Sequence, residues 1–366
     1  MTISFQDKSI IEDIQHNCHI SDARDHGIYS MCTMVLKLRN LYKWEHDLEP
    51  WEEAEPADLL DWIECKENYW SSIADESFRL LGVNGQTYSP DNLVDVNRLF
   101  SGGGLVYGAG YGRSMKSVFF LADKLEERNV AGCPVIILGR EMAREMASPF
   151  AMAQDGVVYI RRDSLRYFLW DQIQELRSSL RVPFRHTLKL YGLLKEGELD
   201  QEGLKEKLDT IVDEEMNVFI YHEVGEILQD TLQSATLEKI VSRFPGSAIE
   251  LVCRSIKDIL ADTHPQGLLS YITRERRETS LGLYMSLLEG VRKILFPELA
   301  EAWDSFSRDN NWSHIEDAAA RCRNKNMELA EKVLEISRRI EKDPDDFVQN
   351  LFNSRIIAPL GLDTAQ

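Results

Sequence analysis

The sequence predicts an α+β protein that is predominantly helical, with N-terminal helices, a small central mixed α/β sheet and an all-α C-terminal half. Three observations carry this. Ten of the 21 glycines fall between Gly82 and Gly139, beside short β-branched and aromatic runs. Residues 8 to about 80 show helical periodicity with few breakers before that window. After it, no proline occurs between Pro183 and Pro245, and apolar positions recur at amphipathic spacing.

In chain order, the acidic stretch Glu49 to Asp58, with two prolines, reads as a turn between two N-terminal helices. Strands are expected near Gly104 to Ala109, Pro134 to Leu138 and Val157 to Arg161, with a helix around Leu121 to Arg128 serving as a crossover. Further helical windows span Ala248 to Ala261, Ser280 to Leu295 and His314 to Lys342. The division expected is an N-terminal domain over 1–185, made of helices 1–80 and an α/β part 81–185, and a helical domain over 186–366. No repeat of 30 to 50 residues is present, which argues against a solenoid.

The 42 basic and 61 acidic residues leave a net charge of -19. Such a surface repels phosphate backbones and anionic headgroups, so a protein partner or a small molecule is expected rather than nucleic acid or membrane. Apolar runs such as Val118 to Ala122 fall far short of the roughly 18 residues of a membrane helix. The opening MTISFQDKSIIEDIQ turns polar at once, unlike a signal peptide. Six scattered cysteines with no CxxC point to reduced thiols and a cytoplasmic setting. The oligomeric state is left open.

Three constellations could carry chemistry. In the run from His16 to Cys32, the residues His19, Asp22 and His26 stand at i, i+3 and i+7, within roughly 60° of one another on a continuous helix, and suit a divalent metal. The same stripe holds Ile11, Cys18, Tyr29 and Leu36, so Asp22 is expected to face the core. An inward carboxylate needs a partner, for which Arg24, Arg39 and Tyr29 are candidates, or else it serves a catalytic pocket. Two features work against a shared face: Ser21 could cap a helix that starts after His19, and Gly27 could interrupt it.

Next, His222 and Glu226 at i, i+4, with Glu223 between them as a base, imitate the two ligands and the intervening glutamate of zinc-protease helices. Val218, Tyr221, Val224, Leu228 and Leu232 form the apolar stripe, which places Glu215, His222 and Glu226 on the side expected to meet water. Gly225 inside this helix suggests close approach of another backbone.

Last, the glycine-rich segment Ser101 to Lys116 could gather an anion through backbone N–H groups at Gly108, Gly110 and Gly112, with Arg113 and Lys116 adding charge. It matches neither the P-loop nor the dinucleotide fingerprint, and a glycine-rich strand packed against its neighbours is the plainer reading. No Gly-x-Ser-x-Gly elbow is present, which argues against a serine hydrolase.

The run Cys18-His-Ile-Ser-Asp22-Ala-Arg24, followed by Gly27, Tyr29, Cys32, Lys37, Arg39, Trp44 and Glu45, resembles the opening of an uncharacterised bacterial family known as a two-part (N- and C-terminal) domain of unknown function. The Tyr221–Glu226 segment and the Leu260–Gly267 segment are similar to its C-terminal part, so the resemblance spans most of the chain. It implies no activity.

Two functional classes therefore stand, with a third behind them. One is a binding or regulatory protein whose acidic surface meets a partner. Another is a metal-dependent enzyme, a hydrolase or oxidoreductase, using Asp22 and Glu223 as catalytic groups and His222, Glu226 and His26 as ligands. The third is an anion or phosphate-ligand binder built on the glycine-rich segment.

Overall fold

The computed structural model describes residues 5–83, 86–100, 102–112, 115–179 and 182–362. Helix α1 (Phe5–Asp25) ends in a 3-10 turn, His26–Ile28, so Gly27 does interrupt the helix while Ser21 lies well inside it. Helix α2 (Met31–Glu45) starts where Ser30 Oγ accepts the Thr33 amide (3.3 Å), and α3 (Pro56–Ile73) opens with a proline, whose missing N–H would have no helical partner there. The short hairpin β1 (Leu81–Val83) and β2 (Gln86–Tyr88) leads into α4 (Leu93–Phe100).

Five strands follow: β3 (Leu105–Tyr111), β4 (Ser117–Val130), β5 (Cys133–Arg144), β6 (Ala151–Gln154) and β7 (Val157–Arg161), in sheet order β3-β4-β5-β7-β6. β3 and β4 are antiparallel from Leu105 opposite Asp123 to Tyr111 opposite Ser117. The helix expected over Leu121 to Arg128 is thus strand, and no crossover occurs there. Its polar end has helical propensity, but Val118 to Ala122 are buried and paired with β3, and a strand begun that way carries its continuation with it. Two-residue links at Ala131-Gly132 and Asp155-Gly156, all four with positive φ, close tight hairpins.

Two apolar clusters hold this region together. Ile10, Ile14 and Cys18 of α1 pack with Val96 and Phe100 of α4, Tyr107 and Ala109 of β3, and Phe119 and Leu121 of β4. The other side of α1, Ile20 and Ala23, packs with Leu38 and Leu41 of α2, Trp70 and Ile73 of α3, and Met146. Each large side chain buried in this way stabilises the fold by roughly 1.5–3 kcal/mol.

Helix α5 (Arg162–Ser179) precedes an all-helical region broken only by a two-residue hairpin: α6 (Val182–Leu190), β8 (Leu194–Lys195), β9 (Glu198–Leu199), α7 (Gln201–Leu228), α8 (Ser234–Arg243), α9 (Ala248–Asp262), α10 (Leu268–Arg274), α11 (Glu278–Leu287), α12 (Gly290–Leu295), α13 (Glu298–Asp309), α14 (Ser313–Ser337) and α15 (Asp345–Phe352). With 63% of residues helical and 15% in strands, the chain is α+β and predominantly helical. It divides into two compact units: 1–128 with 135–154 and 159–174, and 175–366 with 129–134 and 155–158. Among the described residues, no helix is long and apolar enough to cross a membrane.

Candidate acid–base site and a sealed charge cluster

Helix α7 passes so close to the end of α9 that a Cβ added at Gly225 would lie 2.2 Å from the Ala261 carbonyl oxygen. A Cβ at Gly267, beyond the turn after α9, would meet the same oxygen at the same distance. Only glycine fits either position, and the close approach sets Asp262 beside His222.

His222 Nδ1 donates to Asp262 Oδ1 (2.7 Å), while Asp262 Oδ2 accepts from Tyr284 OH of α11 (2.9 Å) and Arg292 Nη2 of α12 (2.7 Å). Asp262 is fully buried with three donors, as a buried carboxylate requires. Burial pushes its carboxyl up, but the Arg292 and His222 charges outweigh burial and hold it below the usual range. Burial works against an imidazolium at His222; the Asp262 charge and hydrogen bond, then Glu223 and Asp258, overcome that and raise its pKa to about 10. The ring is therefore a cation near neutrality, and its Nε2–H has no partner among the described residues. Its side chain is 21% exposed, so the site reaches solvent at this edge.

Glu223, the neighbouring residue, is 8% exposed, and its Oε2 is sealed from solvent without a hydrogen-bond partner. Burial, reinforced by the Glu226 carboxylate, lifts its pKa to about 7 against the opposing pull of His222 and Lys257. Glu226 pairs with Lys257 of α9 (3.0 Å), which also donates to Ser234 Oγ (3.2 Å). Asp258, one turn before Asp262, is raised by burial despite Arg292 and His222, and has no hydrogen-bond partner among the described residues.

The expectation that Glu215, His222 and Glu226 meet water is corrected at Glu215, which is fully buried and accepts from Tyr191 OH (2.5 Å) and Ser280 Oγ (2.7 Å), whereas the His222 and Glu226 side chains keep 21% and 22% exposure. The reason is that α9, α10 and α11 all pack on α7, so it has more than one inner face. The close approach expected at Gly225 is found.

The first unit holds a different cluster. Asp22 does point inward, but its partners are not the expected Arg24, Arg39 or Tyr29. Oδ1 accepts from Lys116 Nζ (2.9 Å) and Oδ2 from the Met146 amide (2.8 Å), and Lys116 also donates to Ser21 Oγ (3.0 Å). The arginine candidates are engaged elsewhere: Arg24 on the Ala74 and Glu76 carbonyls, Arg39 on Asp171. Buried with them, Arg161 bridges Glu141 and Glu145. Arg144 lies 5.6 Å from the Trp44 ring and 5.8 Å from the Tyr167 ring, with Nη1 3.2 Å from Glu141 Oε2 but not aligned for a hydrogen bond. Glu145 Oε2, Arg161 Nη2 and Arg144 Nε also lack hydrogen-bond partners, yet these residues are at most 3% exposed, and nothing of this cluster reaches solvent.

The other sequence candidates are dispersed. His19 contacts Gln15 and Tyr69, and His26 stacks on Trp70 with Nδ1 on the carbonyls of Asp22 and Ala23, so His19, Asp22 and His26 share no ligand site. His26 belongs to the first unit, His222 and Glu226 to the second. Among the described residues, no three His, Cys, Asp or Glu converge as metal ligands. Gly108 and Gly110 are strand residues of β3; a Cβ at Gly108 would lie 2.0 Å from the Phe120 ring, so this glycine makes room for an aromatic. The Gly112 amide donates to the Lys116 carbonyl, Lys116 Nζ serves Asp22, and Arg113 lies outside the described residues. All six cysteines are free.

Sequence reasoning missed Asp258, Asp262, Tyr284 and Arg292. Asp262 carried a usable signal, since it follows Ile259 by three residues on the apolar face of α9 and so had to find donors. Arg292 carried none, because only tertiary packing brings α12 to α9.

These features define a two-part protein, an α/β unit with a sealed ion cluster and a helical unit with a partly open one. The chain belongs to the family of unknown function DUF6866: the N-terminal domain of that family matches residues 9–161 and its C-terminal domain residues 166–355. No curated protein and no solved structure matches the chain.

Proposed function

We propose that the protein binds a small polar molecule at an acid–base centre in its second unit, where His222 donates and Glu223 accepts a proton. Sites of this kind arise where environments push neighbouring groups apart in pKa, which sorts them into acid and base. The carrying observation is the buried, unpartnered Glu223 Oε2 beside a histidine whose Nδ1 is held by Asp262, leaving Nε2–H toward the open edge. Asp262 fixes the ring orientation and stabilises its charge, a role a carboxylate often has where histidine transfers protons. A small-molecule ligand accords with the net charge of -19, and a cytoplasmic setting with six free cysteines. A divalent metal held by His222, Glu226 and His26 draws no support from the arrangement of donors.

The test is a paired NMR titration of the His222 ring and the Glu223 carboxyl. Glu223 should titrate near neutrality and His222 well above it, and Asp262→Asn should lower the His222 value, since the largest charge opposing burial is lost and only Glu223 and Asp258 remain to oppose it. Ordinary values for both groups in the native protein would overturn the proposal.

A further inference from the structure

We infer that the ligand of this site carries a protonated amine or amidine beside a hydrogen-bond acceptor, the cation resting on Glu223 and Asp258 and the acceptor meeting His222 Nε2–H. The inference takes the site's location from the acid–base reading but stands on a separate count of partners. Four carboxyl groups, Glu223 and Glu226 of α7 with Asp258 and Asp262 of α9, gather with three cations, His222, Lys257 and Arg292. Asp262 is saturated by His222, Arg292 and Tyr284, and Glu226 is held by Lys257. That leaves Glu223 and Asp258 without hydrogen-bond donors, the former nine-tenths buried. Four against three also leaves one unbalanced negative charge, which a single cation neutralises.

A metal ion suits the place poorly, because no three donors converge as ligands among the described residues. An ammonium or amidinium suits it better: it needs acceptors rather than a coordination shell, and two uncommitted carboxyls supply them. In the free protein a proton on Glu223 partly fills this role, since Glu226, Asp258, His222 and Lys257 all face it from α7 and α9. The ligand's cation therefore displaces that proton, and binding is linked to proton release.

Isothermal titration with ethanolamine as the probe, and propionate as the anionic control, tests this. Ethanolamine should bind, releasing up to one proton per site when measured in buffers of different ionisation enthalpy. Affinity should rise by up to about tenfold per pH unit below neutrality and level off above it. Glu223→Gln and Asp258→Asn should each weaken binding about tenfold or more, the range for a lost charge-assisted contact. Proton release is read on the unaltered protein, so a variant that fails to fold leaves the test intact. No heat with ethanolamine at about 20 mM, where even a millimolar site is filled, would overturn the inference, as would equal binding of propionate. Ordinary pKa values, with amine binding intact but no proton released, would instead remove the acid–base reading and leave the cation site standing.

Discussion

In the first unit, Asp22, Lys116, Glu141, Arg144, Glu145 and Arg161 are at most 3% exposed and face one another, whereas in the second the charges around Asp262 open to solvent through His222, Glu226 and Arg292. Both clusters meet the requirement that buried charge be paired. They differ in what is left over. In the sealed cluster the unpartnered atoms are out of reach of any ligand from solution, so its effect is to fix how α1, β5, β7 and the Met146 segment pack. In the open cluster the leftover groups, Glu223, Asp258 and His222 Nε2, belong to or adjoin side chains, His222, Glu226 and Arg292, that are partly exposed. A buried charge marks function less well than an uncommitted one with a route to water.

The sharpest way to break that contrast is Arg161→Met. Losing the guanidinium leaves Glu141 and Glu145 facing each other in the core, and the expected loss of stability is about 3–5 kcal/mol. Urea denaturation measures it, and the His222 titration should be untouched in the protein that remains folded. A loss below about 1 kcal/mol would mean that the cluster hydrates and is not sealed.

Gly225→Ala comes next in size. The added methyl would lie 2.2 Å from the Ala261 carbonyl oxygen, so α7 and α9 must separate, at an expected cost of about 1–3 kcal/mol. Unlike the arginine change, it should also lengthen the His222–Asp262 contact and lower the histidine pKa from about 10. Lost stability with an unchanged histidine would show that the helix contact does not position the pair.

How much of this was legible in the sequence follows from the range of the interactions. The strand over Val157 to Arg161 was readable because β-branched and aromatic residues follow a glycine turn, and Gly225 because a mid-helix glycine costs stability unless a neighbour needs the space. The inward direction of Asp22 followed from helical phase. The residues of β4 after Ala122 were misread because their charges suit a helix, and strand pairing overrode that preference. The direction of Glu215 was misread for a related reason: periodicity finds one apolar stripe, and three neighbouring helices give α7 more than one buried face. Lys116 and Asp22 were each singled out, yet their pairing across 94 residues had no local signature.

The smallest expected effect has the opposite sign. Glu223 has an ordinary value of 4.5 and a folded value of about 7, so the folded protein binds the proton more tightly than the unfolded chain does. Between these values the unfolded chain ionises first, and stability falls as pH rises; below 4.5 both states are protonated and nothing is lost. Glu223→Gln removes the ionisation but buries an amide in its place, so the net gain above pH 7 is expected to be about 1 kcal/mol, shrinking to nothing or less at pH 4. Thermal melts of both proteins across that range give the sign directly. In the sealed cluster the corresponding change, Glu141→Gln, should destabilise, because Arg161 and Arg144 hold that carboxyl below its ordinary range even against burial. If both substitutions destabilise alike above pH 7, Glu223 has a donor after all and the distinction between the two clusters fails.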